Sequence, residues 1–168
     1  MMSDIGPAIM EVLRQEFTQE VDFPQICRGV FRLLVAGFLG GIVGWEREQW
    51  RKAAGLRTHM LVALGGALFI LAPLEIKMTN ADLSRVIQGI VTGIGFLGGG
   101  TILKLSELRE IRGLTTAAGI WLTAGVGIAT GLGHYALASS AVVLALFILR
   151  VLEGPEKQSD ASNSKVSG

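Results

Sequence analysis

The residues of this chain that could perform chemistry are a few charged side chains beside long apolar runs. Glu46 and Arg47 end the first run in WEREQW, and Arg57 precedes the second run in GLRTHM. Ionisable groups are costly in hydrocarbon, and a glutamate has little reach, so Glu46 needs a nearby cation. We expect Arg57 to be that cation, with Arg47 as the local alternative. A structural ion pair and a functional site are equally compatible with this pattern.

A second charged group precedes the third apolar run. Asp82, Arg85 and Gln88 follow one another at intervals of three, which places them on one face if they belong to a helix. Carboxylate oxygens are the ligands that Mg²⁺ prefers. Glu46 and Asp82 are therefore the candidate metal ligands, although we predict no cofactor and leave magnesium binding open.

Common catalytic motifs are absent from the sequence, which holds no HExxH, no Walker sequence and no recognisable pairing of His with Ser or Cys. The stretch GIGFLGGG, residues 93–100, does contain GxGxxG. A dinucleotide site would require an acidic residue about 20 positions later, where this chain has the apolar stretch GLTTAAGIWLTAGVG. We predict that the protein is not an enzyme.

The elements that position these residues are predicted to be transmembrane helices. Half of the residues are apolar and 17% are charged, below the roughly 25% of soluble domains. Five apolar runs approach the ~20 residues that cross a bilayer, at residues 26–45, 58–76, 86–103, 114–132 and 135–149. The net charge of +1 gives no support to nucleic-acid binding. The predicted fold is an all-α, multi-pass transmembrane bundle of five spans in the lipid bilayer.

The distribution of charge predicts the orientation of the spans. Ten of the 15 Lys and Arg residues fall in the flanks on one side of the predicted membrane, which places the N-terminus outside and the C-terminus in the cytoplasm. An acidic segment precedes the first run, so no cleavable signal peptide is predicted. We divide the chain into an amphipathic segment (1–25), a transmembrane domain (26–152) and a disordered polar tail (153–168).

The third and fourth runs sort their small and bulky residues onto opposite helix faces. In the third run Gln88, Thr92, Gly95 and Gly99 share one stripe, beside a second stripe of Gly89, Gly93, Phe96 and Gly100, and opposite Ile87, Ile90, Val91, Ile94 and Leu97. In the fourth run Thr116, Gly119, Thr123, Gly127 and Thr130 lie together, opposite Leu114, Trp121, Ile128 and Leu132. Because small residues mark helix contacts in lipid, we predict that the small faces meet protein and the bulky faces meet lipid.

An alternative assigns the third run to cation binding. Its many glycines weaken a helix, so the chain is expected to break locally at residues 98–100. Carbonyl oxygens freed by such a break could coordinate a cation, as in transporters.

Three stretches together resemble the MgtC/SapB family of bacterial membrane proteins. They are GGIVGWEREQWRKAAGLRTHMLVALGGALF, RVIQGIVTGIGFLGGGTIL and IRGLTTAAGIWLTAGVGIATGLGHY, within residues 29–150. The family motif positions in this chain are Glu46, Arg47, Gly55, Arg57, Thr58, Arg85, Gly93, Phe96, Gly98, Gly100, Gly113, Thr115, Thr116 and Trp121. Gln88, Gly95 and Gly99 join this functional set from the small-residue stripe.

The resemblance implies a bacterial inner-membrane protein that serves growth in low magnesium and, in pathogens, survival inside macrophages. It also implies inhibition of the F-type ATP synthase through helix contacts. Longer family members add a soluble C-terminal domain. We therefore predict a regulator that docks on another integral membrane protein or on a second copy of itself, with a cation (Mg²⁺) transporter or channel as the alternative.

Overall fold

The computed structural model describes residues 5–18, 22–105 and 110–151. These residues form six helices and one two-stranded hairpin, in the order α1 (Ile5–Thr18), α2 (Phe23–Gln49), α3 (Leu56–Glu75), α4 (Asn80–Gly100), β1 (Leu103–Leu105), β2 (Glu110–Arg112), α5 (Leu114–Gly131) and α6 (Tyr135–Val151). The chain divides into two compact units, residues 1–31 and 32–168. The predicted tail, 153–168, lies outside the described residues.

Helix α1 in the first unit confirms that the predicted amphipathic segment is helical. It begins two residues before Pro7, and the apolar side chains of Ile5, Ile9, Met10 and Val12 are exposed. The predicted division of the chain at residue 25 stays a prediction.

Among the described helices, three are long and apolar enough to cross a membrane. These are α2, α3 and α5, while α6 is a shorter apolar helix. Helix α4 has 21 residues, but Asp82, Arg85, Gln88 and several glycines lower its hydropathy. Predicted helix positions are confirmed in all five runs. The number of crossings and their direction stay predictions.

Helix α5 is the centre of the second unit and packs against α3, α4 and α6. Its threonine and glycine face is buried as predicted, while Leu114 and Trp121 are exposed. Thr123 and Thr130 donate their hydroxyls to backbone carbonyls one turn earlier, at 2.8 and 2.7 Å, so this face presents no unpaired hydroxyl from these two residues. Ile128 departs from the prediction because it is buried against Ile70.

Glycines allow α3 and α5 to approach closely. A Cβ atom on Gly66 would lie 2.8 Å from the carbonyl oxygen of Ala124, and one on Gly131 would lie 2.9 Å from that of Ala67. A Cβ on Gly127 would clash with the carbonyl oxygen of Ala63. Backbone atoms cannot yield as side chains do, so glycine is required along this contact.

The prediction that the bulky face of α4 meets lipid was wrong for Ile87, Ile90 and Ile94, while the prediction that its small face meets protein stays a prediction. Its branched side packs inward, since Ile94 is buried with Ile120 and Ala124, and Ile87 and Ile90 pack against a neighbouring buried cluster. The predicted contact glycines Gly89, Gly93, Gly95 and Gly99 are exposed, and an added Cβ would meet nothing within 4 Å. Both lipid and the bundle interior are apolar, so bulk alone does not decide which of them a face meets.

The predicted break at residues 98–100 was also wrong, because α4 is continuous to Gly100. The carbonyl oxygen of Gly98 accepts bonds from the backbone N–H and the hydroxyl of Thr101, at 3.0 and 2.8 Å, and that of Gly99 accepts from Ile102 N at 3.1 Å. These carbonyls are therefore used to end the helix rather than left open to a cation.

Two turns complete the fold. Strands β1 and β2 pair antiparallel, with Lys104 opposite Ile111, which adds a short hairpin to the predicted all-α fold. Gly113 follows with a positive φ of 95°, where a Cβ would clash with the carbonyl oxygen of Thr101. Between α5 and α6, Gly133 takes a φ of 86°. A tight turn thereby joins the last two helices.

Candidate functional site

A buried polar site lies where α2 and α3 cross, and consists of Glu46, Arg47 and His59. Their exposed fractions are 2%, 0% and 0%. Ionisable side chains so deeply enclosed in an apolar bundle are expensive and are functional candidates for that reason. The other buried polar residues that the structure describes are three threonines of α5.

Glu46 and Arg47 form a two-pronged ion pair. Arg47 Nε donates to Glu46 Oε2 at 2.5 Å, and Arg47 Nη2 donates to Glu46 Oε1 at 2.8 Å. Pairs of this geometry are the strong form of charged hydrogen bond. The expected partner Arg57 is instead exposed at the start of α3, so the prediction of Arg57 was wrong and the local alternative is observed.

Glycines on α2 bring α3 onto this site. A Cβ on Gly44 would lie 2.7 Å from Leu56 Cα and 3.0 Å from His59 Cβ. One turn earlier, a Cβ on Gly40 would lie 2.6 Å from the carbonyl oxygen of His59. The GxxxG spacing thus fixes the crossing point of the two helices at the buried polar site.

Glu48 holds the beginning of α3 against the end of α2. Its Oε2 accepts a hydrogen bond from Leu56 N at 2.8 Å, which satisfies one of the free N–H groups of the first helical turn. A Cβ on Gly55 would lie 2.9 Å from that same oxygen. Sequence reasoning missed Glu48, although an acidic residue shortly before a helix N-terminus is a recognisable signal.

His59 is the unusual member of the buried polar site. Its Nδ1 lies 3.0 Å from the carbonyl oxygen of Gly55, an acceptor that requires Nδ1 to carry the proton. In the neutral ring Nε2 then carries the lone pair. It faces α5, where a Cβ on Gly119 would lie 3.5 Å away, and it has no hydrogen-bond partner among the described residues. No motif in the sequence singled out His59.

The candidate metal ligands do not come together. Both carboxylate oxygens of Glu46 accept from Arg47. Glu46 lies beside the start of α3 and Asp82 follows its end, and the 20 residues of α3 rise about 28 Å. In the described part of the chain, no three His, Cys, Asp or Glu side chains are grouped to hold a metal. Glu46 and Asp82 are therefore too far apart to share one ion.

Asp82 and Arg85 share one helix face as predicted. Arg85 Nη1 lies 3.3 Å from Asp82 Oδ1, and the two side chains are 79% and 44% exposed. Asp82 also accepts from the hydroxyl of Thr79 at 2.7 Å, within the N-terminal cap of α4. Such an exposed pair contributes little to stability.

The remaining predicted residues are divided between buried and exposed positions rather than gathered at one site. Thr58 is half-buried in the first turn of α3, and Thr116 and Gly98 are buried. The exposed members are Gln88, Gly93, Gly95, Phe96, Gly99, Gly100 and Thr115, of which Phe96 has an exposed fraction of 87%. The structure therefore separates one buried site from an exposed face of α4.

Arg32 has a role that sequence reasoning did not identify. Its Nη1 donates to the carbonyl oxygen of Gly131 at 2.7 Å. Gly131 ends α5, where carbonyl groups lack helical partners and the helix dipole favours a cation. Arg32 thus ties α2 to the end of the central helix.

Residues 33–158 match the MgtC family. Protein MgtC of Salmonella typhimurium is 44% identical over 124 residues, which cover 71% of this chain and 51% of that protein. YhiD of Escherichia coli K12, which is named provisionally as a magnesium transporter, is 40% identical over 129 residues. Protein SrpB of Synechococcus elongatus is 39% identical over 135 residues, or 74% of this chain and 72% of that protein.

The match to YhiD covers 73% of this chain and 59% of that relative's own length. No solved structure matches the chain.

Proposed function

We propose, from the premise that this chain belongs to the MgtC family of membrane proteins, that it regulates another integral membrane protein during magnesium limitation. The regulation is non-covalent and takes place in the bacterial inner membrane, through packing between helices. The F-type ATP synthase is the candidate partner that the family resemblance supplies. A second copy of the chain is the other candidate.

The proposed topology has five spans, with the N-terminus outside. Helices α2, α3 and α5 have the length and apolar character of spans. The 17 residues of α6 rise about 25 Å and return from α5 through a tight turn, and α4 packs along α3 and α5. The excess of Lys and Arg on one side supports the orientation.

The observation that carries the proposal is a polar, small-residue stripe on the exposed side of α4. We call Gln88, Thr92, Gly95 and Gly99 the α4 stripe. All four are exposed, and Gln88 makes no side-chain hydrogen bond within the described residues. An amide left in hydrocarbon is costly, whereas across a helix interface it can bond to a partner while the glycines allow close contact. The α4 stripe therefore has the character of an interface.

Replacement of Gly95 or Gly99 by Leu tests this proposal. A Cβ added at either position would meet nothing within 4 Å, so folding should persist while the added side chain holds a partner helix away. Gly125→Leu is the matched control, because Gly125 is also exposed on a helix with open space around it. We expect both α4 variants to lose cross-linked partners recovered from native membranes and the control to retain them. Unchanged recovery with Gly99→Leu would contradict the proposal.

Cation transport is the second candidate, favoured by the buried polar site. Glu46, Arg47 and His59 lie inside the bundle, and buried ionisable groups often mark ion or proton paths. The test is flux into liposomes that contain only the purified protein, compared with His59→Leu. Magnesium or proton flux that this variant abolishes would support transport, and no flux from correctly folded protein would oppose it.

A further inference from the structure

An apolar groove of about 550 Å³ runs between α3 and α4. Its α3 wall extends from Leu61 to Phe69, its α4 wall from Val86 to Leu97, and Ala124 of α5 contributes to its lining. Gly89 and Gly93 border the groove, and an added Cβ at either position would meet nothing within 4 Å. The α4 stripe lies on the opposite side of the same helix.

The lining of the groove suits a hydrocarbon chain. Every lining residue is a glycine or carries a hydrocarbon side chain. Helix contacts in lipid use polar side chains as well as small residues, and the α4 stripe has them while the groove has none. The wall from Val86 to Leu97 rises about 16 Å, roughly half of the ~30 Å hydrocarbon core. A groove of that length matches an acyl chain within one leaflet rather than a helix that crosses both leaflets.

A cationic residue directly precedes the groove-lining part of α4. Arg85 comes immediately before Val86 and one helical turn before Gly89, at the border between the groove side of α4 and the face that carries Gln88. Its guanidinium is largely exposed, and its ion pair with Asp82 at 3.3 Å is of the weak, solvent-exposed kind. Arginine binds phosphate through two parallel hydrogen bonds, so a phosphate can displace or share this carboxylate. Lys77, also exposed, lies in the turn between α3 and α4.

We propose that the α3–α4 groove binds one phospholipid, with an acyl chain along the groove and the lipid phosphate on Arg85. Three features together indicate this occupant: the hydrocarbon lining, the length of one leaflet and the arginine that precedes the groove-lining residues of α4. This site goes beyond the proposed docking function, since it uses the other side of α4 and does not require a protein partner.

Native mass spectrometry of the full chain in detergent, titrated with phosphatidylglycerol, tests the proposal. Wild-type protein should retain one lipid more tightly than the rest. Gly93→Leu places a side chain in the groove and should weaken this binding about tenfold, since the acyl chain loses buried apolar contact. Arg85→Gln should weaken it by a smaller factor of about three, and titration with diacylglycerol, which lacks phosphate, should show no difference between wild type and Arg85→Gln.

Gly125→Leu is again the matched control and should bind lipid as the wild type does. Helical circular dichroism of each variant verifies folding, and Phe69→Trp provides a second measurement, because the added tryptophan should increase quenching by brominated phospholipid over that of the three native tryptophans, and Gly93→Leu should remove the increase. Equal lipid retention by wild type and folded Gly93→Leu would overturn the proposal. Loss of a dimer in Gly93→Leu without any change in lipid binding would also overturn it, in favour of a helix in the groove.

Discussion

Helices α5 and α4 both carry glycines at four-residue spacing, and they use them differently. Gly127 and Gly131 of α5 lie under the backbone of α3, where a Cβ would collide with carbonyl oxygens. Gly95 and Gly99 of α4 have open space around them. The spacing indicates that another helix can approach closely, but it does not indicate whether that helix belongs to the same chain. Of these four glycines, only Gly95 and Gly99 remain available to a partner.

The acidic residues show the same contrast. Glu46 is enclosed and gives both oxygens to Arg47, while Asp82 is exposed and shares its oxygens among Arg85, Thr79 and solvent. Removal of one member of a buried ion pair is costly, because the remaining charge would be left without a partner in an apolar bundle. An exposed pair can be separated at little cost.

Glu46→Ala should have the largest effect, lowering the free energy of unfolding by about 3–5 kcal/mol, because the buried Arg47 loses its countercharge. Asp82→Ala should lower it by about 1 kcal/mol or less. Chemical unfolding in detergent micelles, followed by circular dichroism, measures both. The double variant Glu46→Leu/Arg47→Met removes both charges and should recover most of the loss. Equal effects of Glu46→Ala and Asp82→Ala would remove the contrast between the two regions.

The buried face of α5 was predictable from sequence, but that of α4 was not. On both helices the small face also carries polar side chains, but that of α5 is buried, whereas that of α4, with Gln88 and Thr92, is exposed. On α4 the bulky face is Ile, Val and Leu, which are as suitable for lipid as for a core. Contact with α5 determines which face of α4 is buried, because Ile120 and Ala124 of α5 pack against Ile94. No periodicity within α4 contains that information.

Part of the buried polar site was also predictable. Glu46 stood out because a glutamate at a membrane edge needs a cation, and that requirement is met. Sequence separation did not distinguish Arg47 from Arg57 as the partner of Glu46, because either side chain could have reached its carboxylate. The environment of His59 depended on the crossing of α2 over α3 at Gly40 and Gly44, which places the ring between helices. That crossing is a tertiary feature.

Gly127→Ala should have the second-largest effect on the free energy of unfolding, and it tests the contact between α3 and α5. The new methyl group meets the backbone of Ala63, so we expect a loss of about 1–3 kcal/mol, typical of overpacking. Gly125→Ala, two residues earlier in open space, is the matched control. Thermal unfolding of the two variants in the same detergent provides the comparison. If Gly127→Ala were as stable as the control, α3 would not approach α5 through Gly127.

Gly95→Ala should have the smallest effect on stability, and of opposite sign. Alanine exceeds glycine in helix propensity by about 1 kcal/mol, and no neighbour opposes its methyl group, so the isolated protein should become more stable by about 0.5–1 kcal/mol. In native membranes the same methyl group stands on the proposed interface and should reduce recovery of a cross-linked partner, by less than Gly95→Leu does. This combination of effects would indicate that Gly95 serves contact with a partner helix rather than the stability of the isolated protein. Gly95→Ala protein that gains stability while recovering the partner in full would place the interface elsewhere on α4.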